Sequence, residues 1–114
     1  MRQDRDNSIY LKHILEAITK ISTYTASHTF SQFQENQWDQ DALARNLEII
    51  GEAANNLDAL FRASMPDVPW RQIVDFRNVI VHDYADLDLQ IIWEIATVDL
   101  KELQKQLQSS DKTS

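Results

Sequence analysis

The chain has no cysteine, one glycine and two prolines among 114 residues. The missing cysteine excludes disulfides and thiolate metal sites. A sandwich or barrel needs many turn residues, so the scarcity of glycine and proline points to a few long helices. A single glycine also leaves no glycine-rich phosphate cradle, and neither a Walker loop nor a GxSxG elbow is present. Positive charge is in deficit: 11 Lys and Arg stand against 18 Asp and Glu, for a net charge of -7. Generic nucleic-acid binding rests on an excess of basic groups, so any such role must depend on a local site or a partner. No apolar run approaches the roughly 18 residues of a membrane span, and the first residues, MRQDRDNS, are too polar for a signal peptide. The expectation is a cytoplasmic protein.

Hydrophobic residues make up 43% of the chain, which suits a globular domain. The pattern reads as one domain over residues 1–114, with a core at about 8–108 and polar, frayed ends at 1–7 and 109–114. Residues 8–26 carry Leu11, Ile14, Ile18 and Ile21 at helical spacing, with Asn7 or Ser8 as a cap. Phe30 and Phe33 pin a short turn or helix within 27–36. Over residues 38–64, Leu43, Leu47, Ile50, Ala54, Leu57 and Phe61 form a heptad-like seam, which Pro66 and Pro69 end. Residues 69–83 predict a third helix through Trp70, Ile73, Phe76 and Ile80. The last helix, about 88–108, carries Leu89, Ile92, Ala96, Leu100, Leu103 and Leu107, with Asp86 or Asp88 as its cap. The fold class is all-α: an antiparallel up-and-down bundle of four main helices plus a short helix or turn. Ile49 and Trp93 are surplus to one stripe each, which fits either a thick core or a second buried surface in a homodimer.

Polar residues inside these helices are the candidates for chemistry. Gly51 lies mid-helix, where it costs roughly 1 kcal/mol relative to Ala. Close approach of another helix is the usual compensation, a structural role. Arg45, Glu48 and Glu52 share a face. They form either a solvated surface or, for Arg45 and Glu52, candidates for lining a cleft. The stretch DFRNVIVHDYADLD sets Arg77, Asn78 and His82 among apolar neighbours. In a continuous helix Asn78 and His82 share a face at i, i+4, while Arg77 lies roughly 140° from His82. Convergence of Arg77 and His82 then needs the helix to end near His82, the Arg stem to bend round, or a second copy to face the first. Such a set supports phosphodiester cleavage without metal. A histidine near neutral pKa moves protons, and a guanidinium matches the phosphate and stabilises developing charge. The three histidines are scattered, with no HExxH and no His/Asp cluster, so a metal site is not expected.

The block FRNVIVHDY resembles the R-x4-H-x-Y motif of the HepT-like branch of the HEPN superfamily. RNLEIIGEAANNL, VPWRQIVDFRN and DLDLQIIWEIATVDLKELQKQL resemble the same branch, in the same order and spacing, over about residues 8–108. The resemblance implies a homodimeric helical bundle whose two motifs meet in a cleft at the interface. It implies a cofactor-free, metal-independent endoribonuclease acting on tRNA or mRNA, the toxin of a toxin–antitoxin pair. Arg77 and His82 match the catalytic pair, and Asn78 matches the polar residue after the arginine. Tyr84 matches the tyrosine to which an MntA-type minimal nucleotidyltransferase antitoxin, itself using ATP, adds AMP. Asp83 departs from the pattern, because glycine is frequent there. It is a third candidate for lining the cleft, and its negative charge beside His82 is expected to raise the histidine pKa and to disfavour RNA approach.

Two other functions compete. One is a non-catalytic module that binds a nucleotide or serves as the substrate of a nucleotidyltransferase, a reading the acidic balance favours. The other is a purely structural bundle, with Arg77, Asn78 and His82 as satisfied core groups.

Overall fold

A computed structural model of the chain describes the backbone of residues 2–79 and 86–113, and the side chains of residues 7–79 and 89–109. Every regular element among the described residues is helical. They are α1 (Arg2–Ser27), α2 (Phe30–Gln34), α3 (Gln37–Asn56), α4 (Ala59–Ala63), α5 (Trp70–Val74) with a 3₁₀ turn (Asp75–Asn78), α6 (Asp86–Glu94), a π-helical turn (Ile95–Asp99) and α7 (Leu100–Thr113). Helix α1 begins at Arg2 and α7 runs to Thr113.

The apolar stripes become the core. Ile14, Ile18 and Ile21 of α1 are buried against Leu43, Leu47, Ile50 and Ala54 of α3 and Leu57 just beyond it. Leu89, Ile92, Ala96, Leu100, Leu103 and Leu107 are buried along the C-terminal rod formed by α6, the π turn and α7. The π turn inserts in this rod without breaking its inward face, since each buried position still follows the last by three or four residues. Helices α1 and α3 run antiparallel. The first turns of α1 meet the chain beyond α3, where Asn7 Nδ2 donates to Asp58 Oδ2 at 3.1 Å. At the other end, the Tyr24 hydroxyl donates to Asp39 Oδ2 at 2.7 Å.

Caps decide where the helices stop. Thr29 and Gln32 form a reciprocal capping box on α2, and the Asn36 side chain accepts from the Asp39 N–H to start α3. The buried Gln40 donates to the Phe33 and Gln34 carbonyls, both at 3.0 Å, and fixes α2 on α3. The expected helix over 38–64 is two helices. Leu57 takes an extended conformation (φ -66°, ψ 142°), and Asp58 then caps α4 by accepting from the Phe61 N–H at 2.7 Å. The heptad seam reads through this point because Leu57 stays buried even as the backbone turns. Asn7 is no N-cap: it lies inside α1, and its Oδ1 accepts from the Asp58 N–H at 3.1 Å.

Trp93 finds its partners within the chain. Its ring lies 5.1 Å from Phe33, 6.0 Å from Phe30 and 6.4 Å from Tyr24. Ile49 is half-buried against the same core. Both side chains thus pack on the core of this chain and stay half-buried. Trp38, Leu60, Val98, Ile91 and Ile9 are the large apolar side chains left exposed among the described residues.

Burial, and then the adjacent Asp39 carboxylate, push the Tyr24 hydroxyl up to about 12. A raised folded-state value favours the neutral phenol, so its stabilising contribution is complete below pH 10 and is lost as pH rises toward 12. The difference in urea midpoint between wild type and Tyr24→Phe should therefore narrow over that interval. At neutral pH the variant loses one hydrogen bond to a carboxylate, about 1.5–3 kcal/mol.

Candidate active site

The segment that carries Arg77 is held from below. Ile73 and Phe76 are buried at 3% and 8% exposure and anchor it in the core. Trp70 Nε1 donates to the Arg62 and Met65 carbonyls, both at 3.1 Å, which fixes the start of α5 on α4. After Val74 the helix tightens into the 3₁₀ turn and ends. Val79 is extended (φ -69°, ψ 124°), and its N–H donates to the Phe76 carbonyl at 3.2 Å. A β-branched run, Val79, Ile80, Val81, begins there and favours leaving the helix.

This corrects the helix expected over 69–83. Arg77 and Asn78 are the last residues of the turn. His82, Asp83 and Tyr84 lie outside the described residues. The continuous helix that the i, i+4 relation and the 140° separation assumed ends at Val79.

Arg77 is half-buried and Asn78 exposed. Arg77 Nε is buried and has no hydrogen-bond partner among the described residues. Arg62 Nε is in the same state; what suits the Arg77 guanidinium to an anionic oxygen is its charge and planar fork. The backbone beside it packs directly on α3 at Gly51, the close approach expected of a lone mid-helix glycine. Sequence alone did not identify Arg77 as the group that approaches. Arg45 and Glu52 are exposed. Arg45 pairs with Glu48 at 3.2 Å, with side chains 66% and 45% exposed, so the pair adds a few tenths of a kcal/mol at most.

A cleft of about 590 Å³ that no sequence pattern announced lies between α5 with its 3₁₀ turn and the C-terminal rod. Phe76 and Leu103 line it, and so do Asp67, Asp99 and Glu102. Burial, and then the charge of Glu94, raise the Asp99 carboxyl above its ordinary value. Three carboxylates around one cleft repel a phosphodiester. Among the described residues no group of three or more His, Asp or Glu is arranged to hold a metal ion, and no helix is long and apolar enough to cross a membrane.

Residues 14–110 match the model of the "Ribonuclease HepT-like" family. The chain belongs to the HepT-like ribonuclease family. A Thermococcus cleftensis protein named "Probable ribonuclease HepT" is 34% identical over 99 residues, covering 87% of this chain and 90% of its own. A candidate RNase of Methanocaldococcus jannaschii is 33% identical over 104 residues, covering 91% and 95%. A longer protein of the same organism, named for gamma-glutamylcyclotransferase and as a candidate RNase, is 37% identical over 103 residues. The chain spans about half of that protein, 46% of its length. No solved structure matches. As a member of the HepT-like ribonucleases the chain is an enzyme of the ribonuclease class. Arg77 stands in the block that resembles the R-x4-H-x-Y motif.

Proposed function

We propose that this HepT-like ribonuclease cleaves RNA endonucleolytically, without a metal ion, using Arg77 and His82. The observation that carries this reading is the match to the HepT-like ribonucleases, with Arg77 fixed by the 3₁₀ turn inside the block that resembles the R-x4-H-x-Y motif. The reaction is transesterification. The ribose 2′-oxygen forms a bond to phosphorus and its proton passes to a base. The bond from phosphorus to the 5′-oxygen breaks, and that oxygen takes up a proton. His82 serves the proton transfers, and the Arg77 guanidinium meets the non-bridging oxygens, where negative charge grows. Asn78, exposed at the end of the turn, orients one of these groups or the RNA backbone.

The wider setting is part of the proposal. The protein acts as a cytoplasmic homodimer of four-helix bundles, each copy one domain, with the two motifs in a shared cleft. It is the toxin partner of an MntA-type nucleotidyltransferase, which silences it by adding AMP to Tyr84. The added phosphate repels RNA and the adenosine fills the approach. The net charge of -7 favours the second reading, a nucleotide-binding or modifiable module without catalysis.

One experiment separates these readings. Purified protein is incubated in excess chelator with an RNA and with the same sequence made of deoxyribose. Cleavage of the RNA with the DNA untouched is expected, since only ribose carries the attacking hydroxyl. An intact RNA across chelator and added divalent metals would sink the catalytic reading and leave the binding module.

A further inference from the structure

We propose that Gly51 is a positioning residue for Arg77. The absence of a side chain on α3 sets the depth at which the arginine is presented to phosphate. The inference rests on the catalytic reading of Arg77 given above.

A Cβ built on Gly51 would lie 2.6 Å from the Arg77 backbone nitrogen, 2.9 Å from the Val74 carbonyl oxygen and 2.9 Å from Arg77 Cγ. Two of these three neighbours are main chain, so rotating a side chain cannot relieve the clash. Val74 and Arg77 are three residues apart, the spacing of the i→i+3 hydrogen bond of a 3₁₀ turn. Gly51 therefore lies against the rung of the turn that carries the arginine. The arginine stem leaves over the same spot, since Cγ is the third neighbour. A methyl group would have to move this rung by roughly 1 Å to restore ordinary contact.

The turn has little freedom to yield elsewhere. Ile73 and Phe76 are sunk in the core on either side of Val74, so the backbone is clamped between them and α3. A displacement is thus passed outward to Arg77, and its buried Nε leaves its present position. A catalytic group misplaced by about 1 Å loses on the order of 10²-fold in rate. The contact is specific to this position. Ala53 and Ala54, on the same helix, carry their methyl groups in the core.

The test compares RNA cleavage by wild type, Gly51→Ala, Arg77→Ala and Ile18→Val. Ile18 is fully buried in α1 and serves as a stability control. Gly51→Ala should lower kcat about 10²-fold with KM within about threefold, because the arginine acts on the transition state. Its helical circular dichroism should match wild type. Ile18→Val should keep kcat within about threefold even though it loosens the core. If Gly51→Ala melts below the assay temperature, all four proteins are assayed cold in trimethylamine oxide, which favours the compact state. Full kcat in folded Gly51→Ala, with Arg77→Ala inactive, overturns the inference. So does an equal loss of kcat in Ile18→Val, which would make the effect one of stability. An active Arg77→Ala overturns the catalytic reading itself.

Discussion

Arg77→Ala is expected to lower kcat for RNA cleavage about 10²- to 10³-fold, the usual effect of removing one donor to a developing negative charge. His82→Ala should cost about 10²- to 10⁴-fold, the range for a lost proton-transfer group. Arg77→Lys should recover only part of the activity, because an ammonium keeps the charge and loses the planar fork that matches phosphate. Stability distinguishes this outcome from a structural role. Arg77 Nε already lacks a partner among the described residues, so truncation there strands no acceptor of its own. The arginine stem does pack on Gly51. The expected loss is therefore small, about 1 kcal/mol for a half-buried aliphatic stem. A thermal melt beside the kinetics reads both quantities. A large fall in Tm with Arg77→Ala would instead make it a core group.

Phe33→Ala should be the most damaging change to the fold. Phe33 is fully buried and lies at the centre of the aromatic cluster with Tyr24, Phe30 and Trp93. Removing a buried phenyl ring costs about 3–5 kcal/mol. That is a large share of the roughly 5–15 kcal/mol that holds a domain, and it should lower Tm by roughly 10–25 °C. The cluster also joins three parts of the chain: the end of α1, the short α2 and the rod that begins at α6. Trp38→Ala is the contrast. Trp38 is 85% exposed, and its loss should change stability by no more than about 0.5 kcal/mol. Calorimetry of the two variants checks the pair.

Much of this core was legible in the sequence. Ile14, Ile18 and Ile21, the α3 seam from Leu43 to Leu57, and the six positions from Leu89 to Leu107 are all buried where their spacing placed them. Burial follows from apolar periodicity, and periodicity is local. The breaks were harder to read. Leu57 keeps its place in the seam while its backbone turns extended, because Asp58 gains the Phe61 N–H and a pair of bonds to Asn7, 51 residues away. The π turn leaves the buried pattern of the rod intact and so left no trace in it. At the site, Arg77, Asn78 and His82 stood out as polar groups in an apolar stretch. Their geometry could not be read, because it depended on a helix that ends at Val79. Gly51 signalled a close approach, but only tertiary structure shows that Arg77 is what approaches.

The central claim is that side chains alone, led by Arg77 and His82, turn the ribose 2′-hydroxyl against its neighbouring phosphate. The ends left on the RNA report that chemistry most directly. The mass of fragments from a digestion in chelator should show 2′,3′-cyclic phosphates on one side of each cut and 5′-hydroxyls on the other. Fragments that carry 5′-phosphates and 3′-hydroxyls would contradict the account, because they record attack by water on phosphorus rather than by the adjacent ribose.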